Sequence, residues 1–395
     1  MTDHAIAERT DFAERIRAWL EPRAAEMEAL LEELVNIDSN SFDKAGTDAV
    51  GEHIAKLLTA EGIAVTRIPK AEFGDVFRAE VPGHGQNQHV LMLGHRDTVF
   101  AKGTVKTRGY SRQGDMAFGP GVCDMKGGLV ANIFALRAIK AVGGLPFPVV
   151  ALFTSDEEIG SPTGQAEIEA AARGARAVFN TEPGRVSGNV VTGRKGGASF
   201  HITVKGRAAH SGVNHKEGAS AIEALARKIV RLHALTNYAT GVTTNVGVIK
   251  GGNTHNTVAP WAEAELDLRF MTLAQRGELI GEIEKIVMAE DVPGTSATLT
   301  TKALFLPLEE KNARALFEIY QKEAANIGFP VEGEFTGGCA DSGFTAALGV
   351  PTLCGLGPVG GKAHTDDEFC RLDTLLPRTQ ALAATICALI STGAL

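Results

Sequence analysis

The sequence predicts an α/β protein in two parts: a mixed sheet flanked by helices, with a self-contained βαββαβ unit of ferredoxin-like type inserted into it. Three observations carry this. The chain has 395 residues, more than one ordinary core accommodates. Apolar strand-like runs alternate with helical spacing up to about residue 193 and again from Asn312 onward. Between them the pattern changes to half-exposed, alternating strands in the order β-α-β-β-α-β.

Taken in order, Phe12 to Asn36 is rich in Ala, Leu and Glu at helical spacing and predicts a helix, as does 46–60. Ala64 to Ile68 and Val76 to Glu80 read as strands. His89 to Leu93 is a continuous apolar run, the mark of a strand buried on both faces. Lys126 to Val142 predicts a helix opened by glycines, and Pro148 to Thr154 and Ala175 to Asn180 predict two further buried strands. The second unit then runs through strand Ala198 to Lys205, helix Ala219 to Leu235, strands Thr243 to Ile249 and Ala262 to Phe270, helix Ala274 to Glu290 and strand Ser296 to Lys302. A helix from Asn312 to Ile327, a glycine-rich turn, strand Pro351 to Cys354 and a helix from Leu372 to Ile390 complete the larger part. The expected division is 1–193 and 305–395 for the larger domain and 194–304 for the insertion.

Composition excludes several classes. The net charge of −8 is spread along the chain with no basic block, which argues against nucleic acid and anionic membranes as partners. Met1 to Ile6 is polar and acidic and lacks the cationic-then-apolar pattern of a secretory signal, and no run is long enough to span a bilayer. Five cysteines without CxxC spacing argue against a disulfide framework or a thiolate zinc site, so a cytoplasmic location is expected. No GxGxxG between strand and helix and no P-loop points to a flavin or nucleotide enzyme.

Five short motifs carry the chemistry. Gly94-His95-Arg96-Asp97 ends a buried strand. An imidazole binds a metal through one nitrogen when its other N–H is held, and Asp97 is placed to hold it. Asp124 lies in a glycine-flanked loop (Gly121 to Gly128) before a helix. An N-cap would explain the aspartate, but the flanking glycines exceed what a cap requires, and a carboxylate with two oxygens can bridge two metals. Asp156-Glu157-Glu158 follows another buried strand, where adjacent acids repel unless cations or protons compensate. Glu158 is assigned as ligand and Glu157 as general base, taking a proton from metal-bound water and passing it to the leaving amine. Glu182 precedes a Pro-Gly turn, and His364 sits in the loop Gly360 to Glu368. Each has a bland alternative as a turn acid, cap or surface histidine; the five together do not.

These motifs, in this order, resemble the M20 family of zinc-dependent peptidases and amidohydrolases, most closely its glutamate carboxypeptidase-like branch, and the resemblance covers nearly the whole chain. It implies a di-zinc hydrolase domain with the inserted unit as a lid and dimerisation domain, hence a homodimer. It implies one zinc on His95, Asp124 and Glu182 and a second on Asp124, Glu158 and His364, with Asp97 orienting His95 and Glu157 as base. The all-N,O ligand set also admits Co2+ or Mn2+. In the insertion, His210 would stabilise the oxyanion, and Asn256 and Arg269 would hold the substrate carboxylate, for which the planar guanidinium is suited. The loop Thr336 to Gly343, including Gly338, resembles the family's channel-lining turn, although Cys339 and Ala340 depart from its usual pattern.

The function expected is hydrolysis of an amide adjacent to a free carboxylate, in a small peptide (a carboxypeptidase releasing a residue such as glutamate) or an N-acyl amino acid. A dipeptidase, or an N-deacylase of the acetylornithine or succinyl-diaminopimelate kind, is the alternative within the class. A non-catalytic metal-binding scaffold is the alternative outside it, and would be expected to have lost the base or ligands that are all present here.

Overall fold

A computed structural model describes residues 3–85 and 88–392; Met1 and Thr2, at the polar start, lie outside it. The chain forms two compact units. The first comprises Met1–Gly193, Leu308–Thr336 and Ala340–Leu395, and the second Arg194–Pro307 with Gly337–Cys339.

The first unit is built on an eight-stranded mixed sheet. Its order is Ala64–Ile68, Val76–Val81, Val149–Thr154, Val90–His95, Ala177–Asn180, Thr352–Cys354, Val190–Arg194, Gly333–Thr336. The central four, from Val149–Thr154 to Thr352–Cys354, run parallel. Ala64–Ile68 and Val76–Val81 are antiparallel additions on one side, and Val190–Arg194 is antiparallel to Thr352–Cys354 on the other. Every residue of Val90–His95, Val149–Thr154 and Ala177–Asn180 is buried, which is why these strands read as unbroken apolar runs. Helix Gly127–Ala141 is buried on nearly all sides, against both this sheet and the terminal helices.

The second unit is a four-stranded antiparallel sheet in the order Thr243–Gly251, Trp261–Phe270, Gly196–Lys205, Ser296–Phe305. With helices Ala221–His233 and Leu273–Met288 it has the ferredoxin-like connectivity. Local chemistry fixes the helix starts: Ser220 accepts the Glu223 N–H, and Thr272 and Gln275 form a reciprocal capping box.

Three features differ from expectation. The single helix expected over 12–36 is two, Asp3–Leu20 and Ala24–Val35, separated by a 3-10 turn at Glu21–Arg23. Pro22 lacks the N–H that would continue the ladder, so its apolar surroundings carry the helical pattern across a break. Short strands Ser111–Gln113, Met116–Phe118, Gly360–Gly361 and Phe369–Arg371 form a further small sheet, too short to show periodicity. Gly337–Cys339 groups with the second unit rather than the first. No helix among the described residues is long and apolar enough to cross a membrane.

A buried charge network anchors the strand end that carries His95. The Arg96 guanidinium is fully buried, lies over the Phe77 ring at 4.8 Å, and donates to the carbonyls of Thr154, Thr47 and Asp75. Asp75 in turn accepts from Lys44, from Arg67 Nε at 2.6 Å and from the Lys70 N–H at 2.8 Å. Burial alone would raise the Asp75 pKa, but these donors outweigh it and hold the carboxyl at about 2. A depressed folded-state pKa favours folding once the unfolded carboxyl is ionised. The contribution is therefore complete above about pH 4 and is lost as pH falls through about 2. Asp75→Asn should lower the melting temperature at pH 7, and the gap to wild type should narrow steadily between pH 4 and pH 2 in thermal melts; a gap independent of pH would contradict the ionic role.

Candidate metal centre

The parallel strands of the first unit deliver the acidic and histidine motifs to one end of its sheet. His95 is the last residue of Val90–His95, Asp156 to Glu158 follow Val149–Thr154, and Glu182 follows Ala177–Asn180. In open α/β sheets this carboxyl edge is where ligands gather. Asp124 comes from a turn, Val122–Lys126, just before the buried helix, and His364 from the loop between Gly360–Gly361 and Phe369–Arg371.

These side chains converge into two trios that share one member. Ligand atoms of His95, Asp124 and Glu182 lie within 4.8 Å of one another, as do those of Asp124, Glu158 and His364. His95 Nε2 is 3.2 Å from Asp124 Oδ1 and 3.6 Å from Glu182 Oε1. His364 Nε2 is 3.4 Å from Asp124 Oδ2 and 3.0 Å from Glu158 Oε2. Asp124 therefore presents one oxygen to each imidazole. Glu157 belongs to neither trio, and its Oε2 is 4.0 Å from His95 Nε2.

The donor set fits a pair of divalent cations. Five carboxyls (Asp97, Asp124, Glu157, Glu158, Glu182) surround two imidazoles. Burial pushes Glu158 up to about 7 and Glu157 well above the carboxylate range. Burial would lower His95, but Asp124 and Asp97 hold it well above its usual value; hydrogen bonds to Asp124 and Glu158 hold His364 at about 10. Too much negative charge is crowded here for two imidazolium ions to neutralise, and cations between the carboxylates relieve that crowding. Glu158 Oε1 is buried and makes no hydrogen bond, an acceptor suited to a metal.

Asp97 is fully buried and braces both sides of the site. Its Oδ2 accepts from Ser41 Oγ at 2.7 Å and from the Glu158 N–H at 3.1 Å, and its Oδ1 accepts from the Glu157 N–H at 3.2 Å. His95 Nδ1 faces the main-chain carbonyl of Asp97 at 3.1 Å and its carboxylate at 3.4 Å, so the nearer partner is the carbonyl rather than the side chain expected. Sequence reasoning missed three residues. Ser41 carries no motif of its own. Asp341, buried and raised to about 7 by desolvation, accepts from the Ser161 and Thr154 hydroxyls. Glu368 lies at the end of the His364 loop, and accepts three backbone N–H groups from the Asp124 loop. The acid four residues after the histidine, directly before an apolar Phe369, was the available signal.

The remaining candidates belong to the second unit. Gly212 N–H donates to His210 Nδ1 at 3.2 Å, which leaves the proton of a neutral ring on Nε2, and the His210 side chain is exposed. The segments of His210 and Asn256 are joined through Ser211 N–H to the Asn256 carbonyl at 3.0 Å and a bridge between His210 and Thr257. Arg269 is already engaged: Nε and Nη2 grip Asp267 at 2.9 Å each, and Nη1 meets Cys339 Sγ at 2.9 Å. Two of its three guanidinium nitrogens are therefore already committed to a carboxylate of its own strand. Gly338 offers its carbonyl to Arg194 at 3.3 Å.

Residues 91–388 match Peptidase family M20/M25/M40, and the chain belongs to that family of metal-dependent hydrolases acting on peptide or amide bonds. It is 27% identical over 362 residues to carboxypeptidase G2 of Pseudomonas sp. (strain RS-16), covering 90% of this chain and 86% of that protein. It is 27% identical over 387 residues to acetylornithine deacetylase of Proteus mirabilis (strain HI4320), covering 90% and 95%. Among solved structures, aminopeptidase PepT from Bacillus cereus ATCC 10987 matches with a TM-score of 0.76 at 20% identity, over 93% of this chain and 99% of that one, a likeness of fold.

Cys339 is half-buried, whereas Cys123, Cys354, Cys370 and Cys387 are buried. Burial raises its thiol pKa against the pull of Arg269. A thiol-exchange reagent should therefore modify one cysteine in the folded protein well before the rest, faster at pH 9 than at pH 7. Peptide mapping that places the label elsewhere would contradict the packing described.

Proposed function

We propose that this hydrolase cleaves an amide bond adjacent to a free carboxylate, releasing an amino acid from a small peptide or from an N-acyl derivative. The observation that carries the reading is the sharing of Asp124 between two trios of N and O donors. In this reading His95, Asp124 and Glu182 hold one zinc ion and Asp124, Glu158 and His364 a second, with Co2+ or Mn2+ as substitutes. When bound, such a pair supplies Lewis acidity to the scissile carbonyl and acidifies water.

The chain's own groups do the rest. Glu157 stands 4.0 Å from His95 Nε2 without joining either trio, so its carboxylate, ionised once cations offset the surrounding negative charge, would accept a proton from the attacking water as oxygen adds to the carbonyl carbon. The same proton passes to the departing nitrogen as the C–N bond breaks, giving an amine and a carboxylic acid. Asp97 holds the Glu157 and Glu158 backbones and the His95 ring in register. His210 is assigned to the developing oxyanion, and Asn256 and Arg269 to the substrate's carboxylate, with Gly338 in the channel-lining turn, as the family resemblance implies. The relatives named carboxypeptidase and deacetylase support both arms of the substrate class.

Two finer points complete the reading. A homodimer through the second unit is supported by its edge strand Thr243–Gly251, where Val248 and Ile249 are exposed. A cytoplasmic location is supported by five cysteines present as thiols.

Metal analysis should find close to two transition-metal equivalents, and a chelator should abolish hydrolysis. Glu157→Gln should keep both equivalents and lose about 10²–10⁴-fold in kcat; activity retained by that variant would remove Glu157 from the role of base. Arg269→Ala should raise KM for substrates bearing a carboxylate and leave kcat little changed, with equal loss on neutral amides counting against it. A panel of acylated glutamate, acylated aliphatic and aromatic amino acids, and dipeptides separates carboxypeptidase from deacylase and dipeptidase.

A further inference from the structure

Glu368 is absent from both trios, yet it is among the most completely enclosed acids in the first unit, with no exposed surface. Its Oε1 accepts from the N–H groups of Cys123 at 2.9 Å and Asp124 at 3.0 Å, and its Oε2 accepts from Gly121 N–H at 3.0 Å. Gly121 is left-handed (φ +71°), which helps turn these donors inward into an anion-binding concavity. An acid enclosed in this way needs donors aimed at it, and three main-chain N–H groups supply them.

The backbone around Glu368 joins the two loops that bear metal-ligand candidates. Phe369–Arg371, which Glu368 immediately precedes, pairs with Met116–Phe118 on the way into the Asp124 loop and with Gly360–Gly361 on the way into the His364 loop. Glu368 N–H closes back on the Thr365 carbonyl at 3.2 Å, making 364–368 a compact turn in which His364 itself is left-handed (φ +65°). One carboxylate thus grips the main chain of the residue whose two oxygens face both imidazoles, from four positions beyond one of those imidazoles.

We propose that Glu368 is the positioning residue of the metal centre. By clamping the Gly121 to Asp124 backbone onto the His364 turn, it sets the spacing of Asp124 from His364 and so the affinity for both ions. This rests on the proposed ligand role of the two trios. Glu368→Gln keeps the shape but replaces one acceptor oxygen with an NH2 that confronts backbone donors; Glu368→Asp keeps the charge but shortens the reach.

The test is cobalt binding to metal-stripped full-length protein, by competition with a chromophoric chelator, together with the visible spectrum of the cobalt form and melting of the metal-free form. Glu368→Gln is expected to weaken binding about 10–100-fold, the scale of groups that orient metal ligands, and to alter the cobalt bands. Glu368→Asp should recover part of both, and stands in for the glutamine variant if that fails to fold. Variant affinity within threefold of wild type with an unchanged spectrum overturns the proposal, as does lowered metal-free stability at unchanged affinity, the mark of a merely structural role. Wild-type protein that binds no cobalt sinks the ligand assignment itself, and this proposal with it; tight wild-type binding with unaffected variants sinks Glu368 alone.

Discussion

The structure turns on a single carboxylate with two oxygens in demand. Asp124 offers Oδ1 to His95 and Oδ2 to His364, so neither trio can be assembled without it. Burial would push this group toward its neutral form, yet the two imidazoles hold it ionised. Much of the first unit can be read as the means of keeping that side chain in place. The buried helix fixes the chain after it, Glu368 fixes its N–H, and parallel strands bring His95 and Glu182 to its side.

The same geometry shows how neighbouring acids come to do different work. Glu157 and Glu158 adjoin in the chain, and both donate their N–H to Asp97. With main chains pinned to one anchor, their side chains diverge: Glu158 reaches His364, and Glu157 stays beside His95 outside both trios. Arg96 contributes from beneath, because its buried guanidinium ties the strand end of His95 to helix Lys44–Ala60 and to strand Val149–Thr154.

Much of this was legible from residues alone, for physical reasons. Strands buried on both faces must be apolar throughout, so Val90–His95 and Val149–Thr154 announced themselves, and acids at their ends were conspicuous against that background. The alternating strands of the second unit were equally clear. Interactions made through backbone groups were not legible. The break at Pro22 lay hidden within a continuous helical pattern, the small sheet of two- and three-residue strands has no periodicity, and Glu368 binds N–H groups that any residue type would offer. Arg269 was legible as a cation, but its pairing with Asp267 and Cys339 depends on the folded approach of the Gly337–Cys339 segment, which no local pattern encodes.

The division of the first unit into separated stretches of chain has a consequence for the order of events at the ribosome. His95, Asp124 and Glu182 all emerge before the second unit begins, whereas His364 and its clamp Glu368 emerge only after that unit has been made in full. A nascent chain therefore carries every donor of one trio long before the other can close. The two trios thus differ in kind: one draws all its donors from a single uninterrupted stretch of chain, while the other is closed across the whole second unit.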